Sequence, residues 1–146
     1  MRLYTIGFTQ KSAERFFTLL REHGVQRLVD IRLRPDGQLS GFAKGGDLAF
    51  FLRELAGCDY IHRPELAPTA QILGDYRKGG SWDQYVASFE ALMDERGIPH
   101  QLDQRIFTEQ TCCLLCSEAT PEQCHRRLVA ERFAKTWGDI DVIHLG

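Results

Sequence analysis

No stretch of this chain approaches the roughly 20 consecutive apolar residues that span a bilayer, which argues against a transmembrane helix. Net charge is also small. The 18 Lys and Arg residues against 20 Asp and Glu leave −2, so no overall field draws the chain to nucleic acid or to an anionic membrane. A local basic patch still leaves nucleic acid open as a partner. Internal repeats, low-complexity tracts and linker-like composition shifts are missing, and 146 residues fit one domain able to bury a core without staples. The opening Met1–Gly7 lacks the apolar stretch of a signal peptide and reads as a strand, so the cytoplasm is the expected location. Five cysteines is an odd count, and three of them fall within Cys112–Cys116, which argues against a disulfide framework. Cys112 and Cys113, neighbours in an apolar run, point to opposite faces of a strand and make a poor chelate.

What the chain does have is concentrated in Cys116–Arg127. Two thiols, two carboxylates, one imidazole and two guanidiniums occupy these twelve residues. The stretch follows the apolar run Thr111–Leu115, a buried strand by its composition. It also carries a helix start, with Thr120 as N-cap, Pro121 at the first helical position and Gln123 closing a capping box. A strand end, a helix N-terminus and reactive side chains thus coincide, which suits a ligand site better than a core.

Elsewhere short apolar runs alternate with amphipathic segments. Strands are expected at Leu3–Ile6, Arg27–Arg32, Asp59–Arg63, Thr111–Cys116 and Asp141–Leu145. Ser12 caps a helix carrying Phe16, Phe17, Leu19 and Leu20, with Gly24 as its stop. After a Gly-rich loop, Pro35–Gly46, Asp47 caps a second helix that Gly57 ends. Pro64 to Gly80 reads as a long loop, in which Tyr76, Arg77 and Trp82 flank the glycines and can stack on a base or anchor the loop. Ser81 and Gln84 form a capping box for a helix ending near Gly97 and Pro99. His100–Gln110 reads as a connector with a helical turn. The last helix is expected over Pro121–Trp137.

Such alternation implies parallel pairing with right-handed crossovers. The expectation is a single α/β domain, a three-layer Rossmann-like fold with a mainly parallel five-stranded sheet. Sheets of this kind hold ligands beyond the carboxyl ends of their strands. Those ends are Gly7–Gln10, Arg32–Arg34, His62–Glu65 and Cys116–Glu118, and all carry polar groups.

Several of these residues resemble the DUF488 family, a domain of unknown function. The matching motifs are Thr5-Ile6-Gly7, Val29-Asp30-Ile31-Arg32, Tyr60-Ile61-His62, Leu115-Cys116-Ser-Glu118, Pro121-Glu122-Gln-Cys124-His125-Arg126-Arg127 and Asp141-Val-Ile-His144. They run in the family's order over nearly the whole chain. The family's opening motif continues with His-Ser where this chain has Phe8-Thr9. The resemblance implies the fold and the position of a site, and it brings no activity.

Three chemistries fit that site. In the first, Arg32, Arg126 and Arg127, with Thr5 and Gly7 beside a helix N-terminus, recognise a small anionic, phosphate- or nucleotide-like ligand. The bland counterpart is internal pairing of those arginines with Asp30, Glu118 or Glu122. In the second, Cys116 is a thiolate nucleophile, His125 or His62 its base, and Glu118 an orienting or proton-carrying group. No Gly-rich cradle ending in Arg follows Cys116, so the phosphatase pattern does not apply. In the third, Cys116, Glu118, Cys124 and His125 hold zinc or iron. Against this, adjacent residues on a helix diverge by about 100° at 3.6 residues per turn, which sets Cys124 and His125 apart. No cofactor is the primary expectation. A small enzyme and a non-catalytic binding module both fit, and the oligomeric state is not encoded in any motif.

Overall fold

A computed structural model describes residues 1–36, 41–118 and 120–146. The expected loop Pro35–Gly46 lies partly outside the described residues. Five strands, β1 (Arg2–Gly7), β2 (Arg27–Asp30), β3 (Asp59–His62), β4 (Cys112–Cys116) and β5 (Asp141–Leu145), form one sheet in the order β3-β2-β4-β1-β5. Every pairing in it is parallel. The helices α1 (Ala13–Glu22), α2 (Gly45–Ala56), α3 (Ala70–Arg77), α4 (Trp82–Glu95), α5 (Arg105–Thr108) and α6 (His125–Trp137) cover both faces. Among the described residues no helix is long and apolar enough to cross a membrane.

Period-two alternation in the strands builds two cores. Tyr4, Ile6, Leu28, Cys113 and Leu115 pack with Phe16, Phe17 and Leu20 of α1 and Leu48 and Leu52 of α2. Leu3, Val29, Cys112 and Leu114 face the other way, toward Phe89 and Met93 of α4, Phe107 of α5, and Val129 and Phe133 of α6. The central strand β4 is buried along its whole length because it carries apolar side chains on both faces. The chain leaves β1 and β2 over the α1/α2 face but leaves β4 over the α6 face. Neighbouring strands with connections on opposite faces open a crevice at their carboxyl ends.

Local signals place several helices. Ser12 Oγ accepts the Arg15 N–H at 3.0 Å and Ser81 Oγ accepts the Gln84 N–H at 3.1 Å, so both expected caps form. Gly57 ends α2 in the left-handed region at φ 57°.

Three expectations need correction. The second helix starts at Gly45 with Lys44 as N-cap, and Asp47 sits inside its first turn. The stretch from Pro64 to Gly80 contains α3, capped by Thr69 Oγ1 accepting the Ile72 N–H at 3.2 Å. The last helix begins at His125, not Pro121, with Cys124 as an extended N-cap at φ −135°, ψ 139°. The side chains expected to cap it are engaged elsewhere. Gln123 Oε1 accepts the Tyr76 hydroxyl at 2.9 Å, and the Glu122 N–H, then Thr120, hold the Glu122 carboxyl below its ordinary value.

Candidate active site at the carboxyl ends of strands two and four

A cavity of about 360 Å³ opens where β2 and β4 end. One side is Arg32 and Arg34 after β2, and the floor is Cys116, the last residue of β4, with Ser117 and Glu118 after it. Tyr76 and Arg77 of α3, Tyr85 of α4, Cys124 and His125 close the rest. Tyr85 stacks on Trp82, with ring centroids 5.0 Å apart and planes at 14°. Tyr76 and Tyr85 give the cavity an aromatic wall, and Trp82 supports it through Tyr85 without lining the cavity itself.

Because α6 starts late, Cys124 and His125 do not obey helical spacing. Cys124 is extended, and both side chains turn toward Cys116. The Cys124 thiol lies 2.7 Å from Cys116 Sγ, and His125 Nδ1 lies 3.5 Å from it. The divergence expected of neighbouring helical residues is therefore overturned, since an N-cap residue is not helical. His125 Nε2 sits 2.8 Å from the Ile31 carbonyl. A carbonyl only accepts, so Nε2 carries a proton, which leaves Nδ1 as the ring nitrogen that faces Cys116 and can take up a proton from it.

Burial works against ionisation of Cys116. The Cys124 thiol, the backbone N–H groups of Glu118 and Ser117 and the Arg126 charge outweigh it and hold the Cys116 thiol below its ordinary value of 9.0. Cys124 goes the other way, since burial and the neighbouring Cys116 charge push it up. Cys116 is thus the more easily ionised of the pair, and Cys124 is the donor to it. Burial, followed by Cys116 and Cys124, likewise raises the Tyr85 phenol and keeps it neutral.

Arg32 is 2% exposed and forks onto Asp30, with Nε at 2.8 Å and Nη2 at 2.7 Å, while Tyr60 donates to the same carboxylate at 2.6 Å. Its guanidinium lies over the Phe8 ring at 5.3 Å, so the residue standing where the family motif has histidine supports an arginine. Arg32 Nη1 is buried without a hydrogen-bond partner among the described residues. His62 Nε2 donates to the Arg32 carbonyl at 2.8 Å, which anchors the loop, and His62 does not line the cavity.

Arg126 is fully buried behind the β4–α6 loop. Its Nε donates to Thr5 Oγ1 at 3.1 Å and its Nη1 to the Glu118 carbonyl. Thr5 in turn meets His144 Nδ1 at 2.5 Å. Burial first, then the Arg126 charge, lowers the His144 pKa. Gly7 permits this arrangement, because a Cβ there would stand 1.6 Å from the Glu118 oxygen.

The structure thus brings together Cys116, Cys124, His125, Arg32 and the exposed Glu118 around one cavity. Thr5, Gly7 and Arg126 stand behind its floor, and Arg127 reaches Glu131 at 3.9 Å along α6. The Glu118 carboxylate is not in the group formed by Cys116, Cys124 and His125, whose ligating atoms lie within 4.8 Å of one another. Sequence reasoning put Arg34 at the rim with the end of β2 but missed Tyr85 as a cavity residue. The Thr69 cap and the spacing of Ile72, Leu73 and Tyr76 were the available signal for the α3 wall.

No curated protein and no solved structure matches the chain. The pattern of the family described as domain of unknown function DUF488 matches residues 12–133, from the cap of α1 into α6. The match takes in β2, β3, β4 and every residue lining the cavity, so the chain belongs to the DUF488 family.

Proposed function

We propose that this protein is a small enzyme using the Cys116 thiolate as a nucleophile on an anionic, phosphate- or nucleotide-like small molecule. The observation that carries the reading is the alignment of Cys116 Sγ, on the cavity floor, with His125 Nδ1, whose ring is fixed from behind by the Ile31 carbonyl. Nucleophile, base and orienting group are the three parts that activate a cysteine. His125 takes the thiol proton, and Sγ attacks the electrophilic atom. The leaving group departs with its electron pair and takes the proton back. Arg32, with a buried N–H that has no partner among the described residues, supplies an anion contact, and Tyr76 and Tyr85 supply a face for a flat ring. A binding module built from the same arginines would need no reactive thiol.

The alkylation rate of Cys116 by iodoacetamide, followed against pH, separates these. An enzyme of this kind reacts already below pH 9.0, and His125→Gln moves the profile upward. A Cys116 inert in the folded protein refutes the nucleophile. For the ligand, phosphate or nucleotides should raise the melting temperature of wild type, and Arg32→Lys, which keeps charge but loses the fork, should remove the gain.

The grouping of Cys116, Cys124 and His125 within 4.8 Å favours one second reading, a Cys2His metal centre facing the cavity. Two thiolates on one tetrahedral zinc, each at about 2.3 Å, stand about 3.8 Å apart. Metal entry therefore has to part these sulfurs, now at 2.7 Å, by about 1.1 Å. Stoichiometric zinc or iron after supplemented, chelator-free purification, lost in Cys124→Ala, would establish it, and none would dismiss it.

A further inference from the structure

The same sulfurs point to a second chemistry that deepens the nucleophile reading and rests on it. We infer that Cys116 and Cys124 are a redox-active dithiol, Cys116 attacking and Cys124 resolving, that closes reversibly to a disulfide by exchange with an anionic low-molecular-weight disulfide.

Geometry carries the pairing. At 2.7 Å the two sulfurs are well inside the separation that a shared metal ion imposes. They stand about 0.7 Å beyond a covalent S–S bond of about 2.05 Å. Cys124 belongs to neither a strand nor a helix. It is the extended N-cap of α6, preceded by a turn that holds its N–H on the Pro121 carbonyl at 3.3 Å. Closing the remaining gap therefore asks for a small rotation on the loop side and no movement of β4.

The other thiols are poor competitors. Cys113 stands three residues before Cys116, the spacing of many dithiol motifs. In a strand, however, that spacing puts the pair on opposite faces, and Cys113 packs in the α1/α2 core. Cys58 and Cys112 are buried, with burial pushing their thiols to about 12 and about 11. Of the five thiols only Cys116 and Cys124 line the cavity, and they stand side by side there. Arg32 and Arg77 on the walls suit a disulfide that carries carboxylates.

The exchange balances without a metal or cofactor. The Cys116 thiolate attacks one sulfur of R–S–S–R, forming Cys116–S–S–R and breaking the original S–S bond. The departing R–S⁻ takes up the proton that Cys116 gave up. Cys124 then passes its proton to His125 Nδ1 and attacks Cys116 Sγ, releasing a second R–S⁻ that is protonated from His125. Two protein thiols lose two electrons and two protons, and the small disulfide becomes two thiols.

The test uses the full reduced chain and oxidised glutathione, read by intact mass and by a peptide map under non-reducing conditions. Wild type should lose the mass of two hydrogens, show a link between Cys116 and Cys124, and return to the dithiol in excess reduced glutathione. Cys124→Ser should stop at one glutathionyl group on Cys116. A wild-type protein that accumulates a stable glutathionyl adduct on Cys116 overturns the resolving role while leaving the nucleophile intact. A link formed through Cys113 overturns the pairing. A Cys116 that reacts with neither glutathione nor iodoacetamide overturns this proposal together with the nucleophile reading. The wild-type map decides the matter even if the serine variant fails to fold.

Discussion

Replacing Gly7 with alanine adds one methyl group and should disable the site from behind. Gly7 pairs with Cys116 across β1 and β4, and its backbone carries no positive φ that would bar alanine. In open space such a change would stabilise the fold slightly, by about 0.4–1 kcal/mol, through the unfolded chain. Here the new Cβ would lie 1.6 Å from the Glu118 oxygen and 2.7 Å from Arg126 Nη1. To reach even the 3.0 Å below which real Cβ contacts are essentially never seen, the carbonyl must retreat by 3.0 − 1.6 = 1.4 Å. Such a shift breaks the Arg126 bond to Glu118 and the two bonds from Thr9 to the Ser117 carbonyl, at 3.1 and 2.7 Å. Two ordinary hydrogen bonds and one charged one sum to about 2.5–6 kcal/mol, a large share of a typical domain stability of about 5–15 kcal/mol. Urea unfolding measures the loss. Iodoacetamide kinetics on the remaining folded protein should show Cys116 less reactive, because the Glu118 N–H and Arg126 are among the groups that lower its pKa. A Gly7→Ala protein within 1 kcal/mol of wild type, with an unchanged Cys116 profile, would refute the bracing of the loop by Arg126 through Gly7.

Other outcomes follow from the same structure. Asp30→Asn leaves Arg32 buried without its counter-charge and should cost about 3–5 kcal/mol in denaturant unfolding, more than an exposed pair would. Stability should fall as pH climbs from 9 toward 11 and 12. Cys112 and Cys58 are protonated when folded, at about 11 and about 12, but titrate near 9.0 when unfolded, so their contribution is complete below 9.0 and drains away above it. Unfolding midpoints measured across that range should fall less steeply in Cys112→Ala. Ser81→Ala removes the cap on Gln84 and should destabilise α4 by about 1 kcal/mol without altering Cys116 alkylation.

The elements legible in the sequence are those that short-range physics dictates. Asp141–Leu145 forms β5 over the expected span, and Ser12 and Ser81 bond the N–H groups three residues on. Apolar runs in Leu3–Ile6 and Cys112–Leu115 bury on both faces, which demands helices above and below, hence the three layers. The elements that escaped lack a local signal of their own. None of α3 is fully buried, so its apolar stripe is faint beside the glycines around it. Thr120, Pro121 and Gln123 carry the composition of a helix start, but a distant tyrosine takes the Gln123 side chain, and the helix begins four residues later.

That displacement decides how the site is built. The sequence by itself determined a parallel α/β fold and drew attention to the segment after β4, because strand periodicity and residue chemistry are local properties. It also singled out Cys116 and His125. Only the tertiary structure decided that Cys124 joins them, since its direction depends on being an extended cap and not a helical residue. Likewise only the packed chain turned Arg126 and Thr5 into a brace behind the cavity floor and left Arg32 in its wall. A side chain's type is written in the sequence, but where it points is set by backbone angles and partners that lie up to 139 residues away, as Thr5 and His144 do.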